Sequence, residues 1–169
     1  MWLRQLLILT VTLLIAITTQ NAFLSRLGLP GATPDLVLVS VIAVAMAYGA
    51  SMGMIYGFAA GILLDFAPST AGVIGVNALL FMAAALAAAR AVDPRDRTVP
   101  IMIALVAGIT AGVILARGVL DSVLGHPTVV WGSMAELLLT GALYSAILAP
   151  IVVMPLGLVV KKFTPEVAV

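Results

Sequence analysis

The chain has 169 residues, of which 63% are hydrophobic and 9% charged, with a formal net charge of +1 and a mean hydropathy of +1.26. A soluble domain carries about a quarter of its residues as charged side chains, so this composition excludes an ordinary water-soluble enzyme, and the near-neutral charge excludes a nucleic-acid binder. Cysteine is absent, which removes disulfides, thiol nucleophiles and iron–sulfur clusters.

A membrane-spanning helix needs roughly 20 predominantly apolar residues, and the apolar runs break where proline, glycine and charge cluster. The first predicted helix runs from Leu6 to Ala22 and closes at Asn21, Ser25, Arg26 and the turn segment from Gly28 to Pro34. Arg4 before an apolar run resembles a signal peptide, but Thr18-Thr19-Gln20-Asn21 is no small-residue cleavage site, so the segment is expected to remain. The second run is Leu36 to Tyr48 and the third Met52 to Leu64, parted by Gly49, Ala50 and Ser51. Fused into one helix they would measure about 43 Å against a hydrocarbon core of about 30 Å. Two short helices joined by a tight turn at Tyr48-Gly49-Ala50-Ser51 are therefore predicted. The fourth run is Val73 to Ala91, followed by the charged connection Asp93-Pro94-Arg95-Asp96-Arg97. The fifth runs from Val99 to Leu120. The sixth starts near Trp131 and ends before Lys161, with Pro150 and Pro155 set to kink it or to mark a continuation along the interface.

These runs make residues 1–169 a single all-α, polytopic membrane domain of six helices. With the N-terminus inside, Arg4, Arg90, Arg95, Arg97, Lys161 and Lys162 fall on the cytoplasmic side and Arg26 and Arg117 outside, the asymmetry that the positive-inside rule describes. A five-helix chain would place Arg90, Arg95 and Arg97 outside and is rejected.

Gly49, Gly53, Gly57 and Gly61 recur every fourth residue through the third helix, and Gly108 and Gly112 repeat the spacing in the fifth. In lipid, close backbone approach through small residues brings helices together. The row therefore serves either packing within the bundle or the docking of a partner helix.

Ionisable residues inside spans are costly and mark candidate function. Five qualify: Asp35, Asp65, Arg117, Asp121 and Glu136, all toward the outer leaflet in this topology. Arg117 and Asp121 stand four apart on one helix face, so an intramembrane polar network centred on Arg117 is expected, with Asp65 and Glu136 as further partners. His126, beside Pro127, has no second histidine at ligand spacing and reads as a solvated loop residue. No metalloprotease, nucleophile–base or phosphate-cradling motif occurs, so no catalytic residue, cofactor or metal is assigned.

The run Thr33-Pro34-Asp35-Leu36-Val37-Leu38, then Gly49, Gly53 and Gly57-Phe58-Ala59-Ala60-Gly61-Ile62-Leu63-Leu64-Asp65, then Gly72, Gly75 and Asn77 resembles the rod shape-determining protein MreD family. The chain departs from that pattern at Pro68-Ser69-Thr70, where a glycine-rich turn is usual. The resemblance implies a non-enzymatic, multi-pass scaffold subunit of the cell-elongation machinery in the bacterial cytoplasmic membrane. Its implied partners are an MreC-like bitopic protein, a SEDS glycosyltransferase and a penicillin-binding transpeptidase that build peptidoglycan, besides membrane lipid. It also implies an architecture similar to the six-helix substrate-binding subunits of energy-coupling-factor transporters. That likeness leaves a second possibility, a vitamin-type substrate-binding subunit in which Asp65, Asn77, Arg117 and Glu136 line an outward pocket. An intramembrane enzyme is disfavoured by the missing nucleophile–base and metal pairs.

The topology is tested with single cysteines at Asp96 and Ser25, labelled by an impermeant thiol reagent in intact spheroplasts. Position 25 should react and position 96 should not; the reverse result inverts the orientation.

Overall fold

A computed structural model describes residues 2–22, 31–67, 73–91, 98–125 and 131–163. Ser25, Arg26, Gly28, Pro68, Ser69, Thr70, Gly72, the charged segment 93–97, His126 and Pro127 lie outside the described residues, as does the side chain of Lys161. Six α-helices follow one another: α1 (Trp2–Ala22), α2 (Leu36–Tyr48), α3 (Ala50–Asp65), α4 (Val76–Ala91), α5 (Val99–Val123) and, after a short 3₁₀ turn at Trp131–Ser133, α6 (Met134–Phe163). No strand occurs among the described residues.

Among the described residues, three segments are long and apolar enough to cross a membrane: Leu3–Ala22, Val99–Val123 and Trp131–Val160. The other three helices are shorter, and α2, with 13 residues, measures only about 20 Å. This helix is apolar on all sides, and such a helix belongs in an interior. The residues from Val37 to Ala45 are at most 1% exposed, with α1, α3, α4, α5 and α6 packed around them. α2 is thus the axis of the bundle, and its short length is covered by protein at its flanks.

The turn between α2 and α3 is tighter than the four-residue turn expected. Only Gly49 leaves the helical conformation, at φ 85° and ψ 179°, a region that a side chain rarely enters. One glycine therefore reverses the chain. α3 folds back along α2, and a buried contact of 3.1 Å joins the hydroxyls of Ser40 and Tyr56. Because the Ser40 hydroxyl donates to the Val37 carbonyl at 2.7 Å, Tyr56 is the donor in the pair. α6 continues through Pro150 and Pro155 as one helix, as prolines in lipid can when neighbouring groups satisfy the freed carbonyls.

The glycine row lies inside the bundle. A Cβ on Gly53 would stand 2.5 Å from that of Ala45 on α2, and one on Gly57 2.7 Å from the Phe81 carbonyl oxygen on α4. At Gly61 it would overlap the Ala78 backbone of α4. Each four-residue step rotates the row by about 40°, so contact passes from α2 to α4 along the helix, and α3 is wedged between them with no room for a further helix on this face. Gly108 and Gly112 differ: a Cβ at either meets nothing within 4 Å.

These environments give opposite expectations for the same substitution. Gly61→Ala should destabilise the purified protein by ~1–3 kcal/mol through overpacking. Gly108→Ala should leave stability unchanged or raise it slightly, because alanine favours the helix. Thermal unfolding of both in one detergent checks this; equal effects would refute the wedge.

Candidate functional site

The polar residues gather at one end of the bundle, where they first satisfy helix ends. The leading amides of a helix have no partner within it. At α2, the Asp35 carboxylate accepts from the Leu38 amide at 2.9 Å, an N-cap. The Val37 amide donates instead to Oε1 of Gln20 on α1, also at 2.9 Å. One side chain before α2 and one from a neighbouring helix thus complete its entrance and tie α1 to the axis.

Asp65 does the same for α4 from outside it. As the last residue of α3, its carboxylate is poorly placed with respect to that helix's own dipole and well placed for the dipole of α4. Its Oδ2 accepts from the Gly75 amide at 2.8 Å and the Ala78 amide at 3.4 Å. Its Oδ1 accepts from Nδ2 of Asn77 at 2.8 Å. At α6, the Thr140 hydroxyl donates to the Glu136 carbonyl and accepts from the Ala32 amide at 2.9 Å. This holds the segment before α2 against the sixth helix.

These capped ends surround a cavity of about 470 Å³. All six helices line it: Gln20 and Asn21 from α1, Leu38 from α2 with Asp35 just before it, Leu64 from α3, Asn77 from α4, Thr110 and Arg117 from α5, and Gly141 from α6. The last residues of α1 and α3 and the second half of α5 therefore meet the first residues of α2, α4 and α6. Successive helices alternate in direction.

Of the five ionisable residues singled out in the sequence, the structure brings Asp35 and Arg117 to this cavity. Asp65 supports it through Asn77. Asp121 is half-buried and Glu136 exposed, and neither is among the lining residues. Among the described residues Arg117 forms no ion pair with Asp65, Asp121 or Glu136; Asp65 is held instead by the entrance of α4. Gly49 is the reversing residue between α2 and α3, and Gly53, Gly57 and Gly61 are the packing contacts already described. Gln20, Thr110 and Thr140 were not anticipated. Their only sequence signal is a polar side chain in or beside an apolar run, which is common in membrane helices as interhelical hydrogen bonding.

A second concavity, of about 770 Å³ and almost wholly apolar, lies between α1 and α6 over the start of α2. Leu7 and Ile15 line it on one side and Ile151 and Pro155 on the other, with Thr19 and Leu36 at the end nearest the polar cavity.

A family model described as rod shape-determining protein MreD matches residues 2–154. No curated protein and no solved structure matches the chain, so the likeness to energy-coupling-factor subunits rests on the sequence resemblance alone.

The cap at α4 is testable by a double-mutant cycle. Asp65→Ala removes three acceptor contacts and orphans the buried Asn77 amide, which should cost ~1–3 kcal/mol. Adding Asn77→Leu deletes that orphan, so the double variant should lose less than the sum of the single losses. Strict additivity in thermal unfolding would show that the two side chains act independently.

Proposed function

The chain belongs to the rod shape-determining protein MreD family, and from that premise we propose that it is a non-enzymatic membrane scaffold subunit of the bacterial cell-elongation complex. Family membership itself implies a role in rod-shape determination, in a membrane protein family that belongs to the cell-shape system. The match over residues 2–154 carries the proposal, since it spans all but the end of the last helix.

In this reading the six helices all cross the cytoplasmic membrane, with both termini in the cytoplasm. The six-to-two distribution of Lys and Arg and the alternating direction of the helices around the polar cavity support it. Three helices are short for a 30 Å core. The reading assigns that shortfall to coverage by neighbours, as around α2, and to local thinning of the bilayer.

An MreC-like bitopic protein is the proposed direct partner, within an assembly containing a SEDS glycosyltransferase and a penicillin-binding transpeptidase. A scaffold acts through the fit of its helix faces, and lipid supplies no hydrophobic drive for that contact. The interior glycines hold α3 in place. The docking face proposed is the outward stripe of α5, where Ala104, Gly108 and Gly112 are exposed in succession and nothing lies within 4 Å of a Cβ at either glycine. A single partner helix could approach closely there.

One observation, the polar cavity, favours a second reading as the substrate-binding subunit of a vitamin-type transporter; a vitamin-like molecule co-purifying in stoichiometric amount would support that instead.

Leucine at Gly108 and Gly112 tests the docking face. Folded yield by size-exclusion profile should stay at the wild-type level, while retention of the MreC-like partner in pull-down should fall at least tenfold. Gly57→Leu should lower folded yield itself. Undiminished retention by the α5 variants would reject this face.

A further inference from the structure

The polar cavity holds two side chains whose hydrogen bonding the protein leaves incomplete. Asn77 is 3% exposed and Thr110 2% exposed. Both line the cavity, yet among the described residues Asn77 Oδ1 and Thr110 Oγ1 have no partner. Buried polar atoms are nearly always paired, and an exception calls for an explanation. The orientation of Asn77 follows from its chemistry. The Asp65 carboxylate beside it accepts through both oxygens, from the Gly75 and Ala78 amides on Oδ2 and from Asn77 Nδ2 on Oδ1, so the amide nitrogen of Asn77 faces Asp65. The acceptor Oδ1 is left over, in a helix whose entrance is already capped.

The charges point the same way. Arg117 offers donors and no acceptor, lines the cavity, and among the described residues forms no ion pair with Asp65, Asp121 or Glu136. Asp35 lines it too; its carboxylate meets the Leu38 amide and the Gln20 side chain and Val37 amide, and a carboxylate has about four acceptor positions. Among the described residues the lining holds one basic and one acidic side chain, Arg117 and Asp35, so a guest carrying both signs can meet each with its opposite, where a singly charged one would meet only one. The volume of about 470 Å³ lies within the ~300–1,000 Å³ of small-molecule sites.

We propose that this cavity binds a small zwitterion, its anionic group on Arg117 and its ammonium shared between Asp35 and Asn77 Oδ1, with Thr110 contributing a hydroxyl contact. The ligand chemistry is that of an ethanolamine phosphodiester or a free amino acid. It can come from a soluble molecule or from a lipid headgroup. The apolar groove beside the cavity suits the second source, since it ends at Thr19 and Leu36, the chain neighbours of Gln20 and Asp35. An acyl chain in that groove would bring its headgroup to the cavity. The proposal does not depend on the partner reading, because the α5 stripe and the cavity are built from different residues.

The test uses the purified full chain in detergent, with binding read by native mass spectrometry and by thermal stabilisation. The probes are sn-glycero-3-phosphoethanolamine, whose phosphodiester carries a single negative charge, β-alanine and phosphatidylethanolamine, with phosphatidylglycerol as the anionic control lacking an ammonium. At least one zwitterion should bind one per chain and at least tenfold more tightly than phosphatidylglycerol. Arg117→Gln should weaken that binding at least tenfold. Thr110→Val, which keeps the side-chain shape, should weaken it several-fold without changing the unfolding profile of the free protein, and so decides the matter should Arg117→Gln not fold. Binding of the free probes identifies a soluble ligand, and binding of phosphatidylethanolamine alone a lipid headgroup; both support the site. The proposal is overturned by the absence of binding of every zwitterion, by equal binding of phosphatidylglycerol, or by unchanged binding in the variants. Waters alone filling the cavity would give the first of these.

Discussion

A helix of 13 residues buried on every side is the constraint from which the rest of this structure follows. α2 cannot span about 30 Å of hydrocarbon by itself, and its Val- and Ala-rich surface has no polar face to turn outward. It can only be an axis. Five helices surround it, and because lipid is as apolar as their side chains, they are held by closeness of contact and by hydrogen bonds rather than by exclusion from water. The wedge of α3 is the clearest case. Gly53 admits Ala45 of the axis, Gly57 admits both neighbours, and Gly61 admits the backbone of α4. Tyr56 and Ser40 add one buried hydrogen bond to the same seam.

The ends of the helices impose the second constraint. Unpaired amides within the membrane cost several kcal/mol each, so each entrance has to find acceptors. Asp35 and Gln20 serve α2, and Asp65 serves α4. Because successive helices alternate in direction, the entrances of α2, α4 and α6 all lie at one end, and their capping groups converge there. A polar cavity at that end is a consequence of the topology, and Arg117, Asn77 and Thr110 add to it chemistry that capping does not use.

For a cell-shape protein these two regions separate the tasks. The interior glycines and the caps fix how the helices pack against one another, which suits the scaffold role proposed above. The outward stripe of α5 is formed by the small residues Ala104, Gly108 and Gly112 and is the docking face proposed above. The cavity is concave and charged, a surface for a small molecule.

Composition and spacing by themselves determined the class of the protein, the number of helices and most of their limits, because apolar run length and the positions of glycine, proline and charge act locally along the chain. The second helix was legible to the residue, and Asp35 at its start was legible as a carboxylate at a helix entrance. The reversal at Gly49 alone was not, since a four-residue turn and a one-residue turn read alike until φ is known. Tertiary structure alone decided what equal spacings mean. Gly57 and Gly61 stand four apart, as do Gly108 and Gly112, yet the first pair meets the α4 backbone and the second pair meets nothing. Arg117 and Asp121 stand four apart as a ready ion pair, yet Arg117 lines the cavity and Asp121 does not. Spacing states which residues share a face of a helix; only the packing of all six helices states what that face meets.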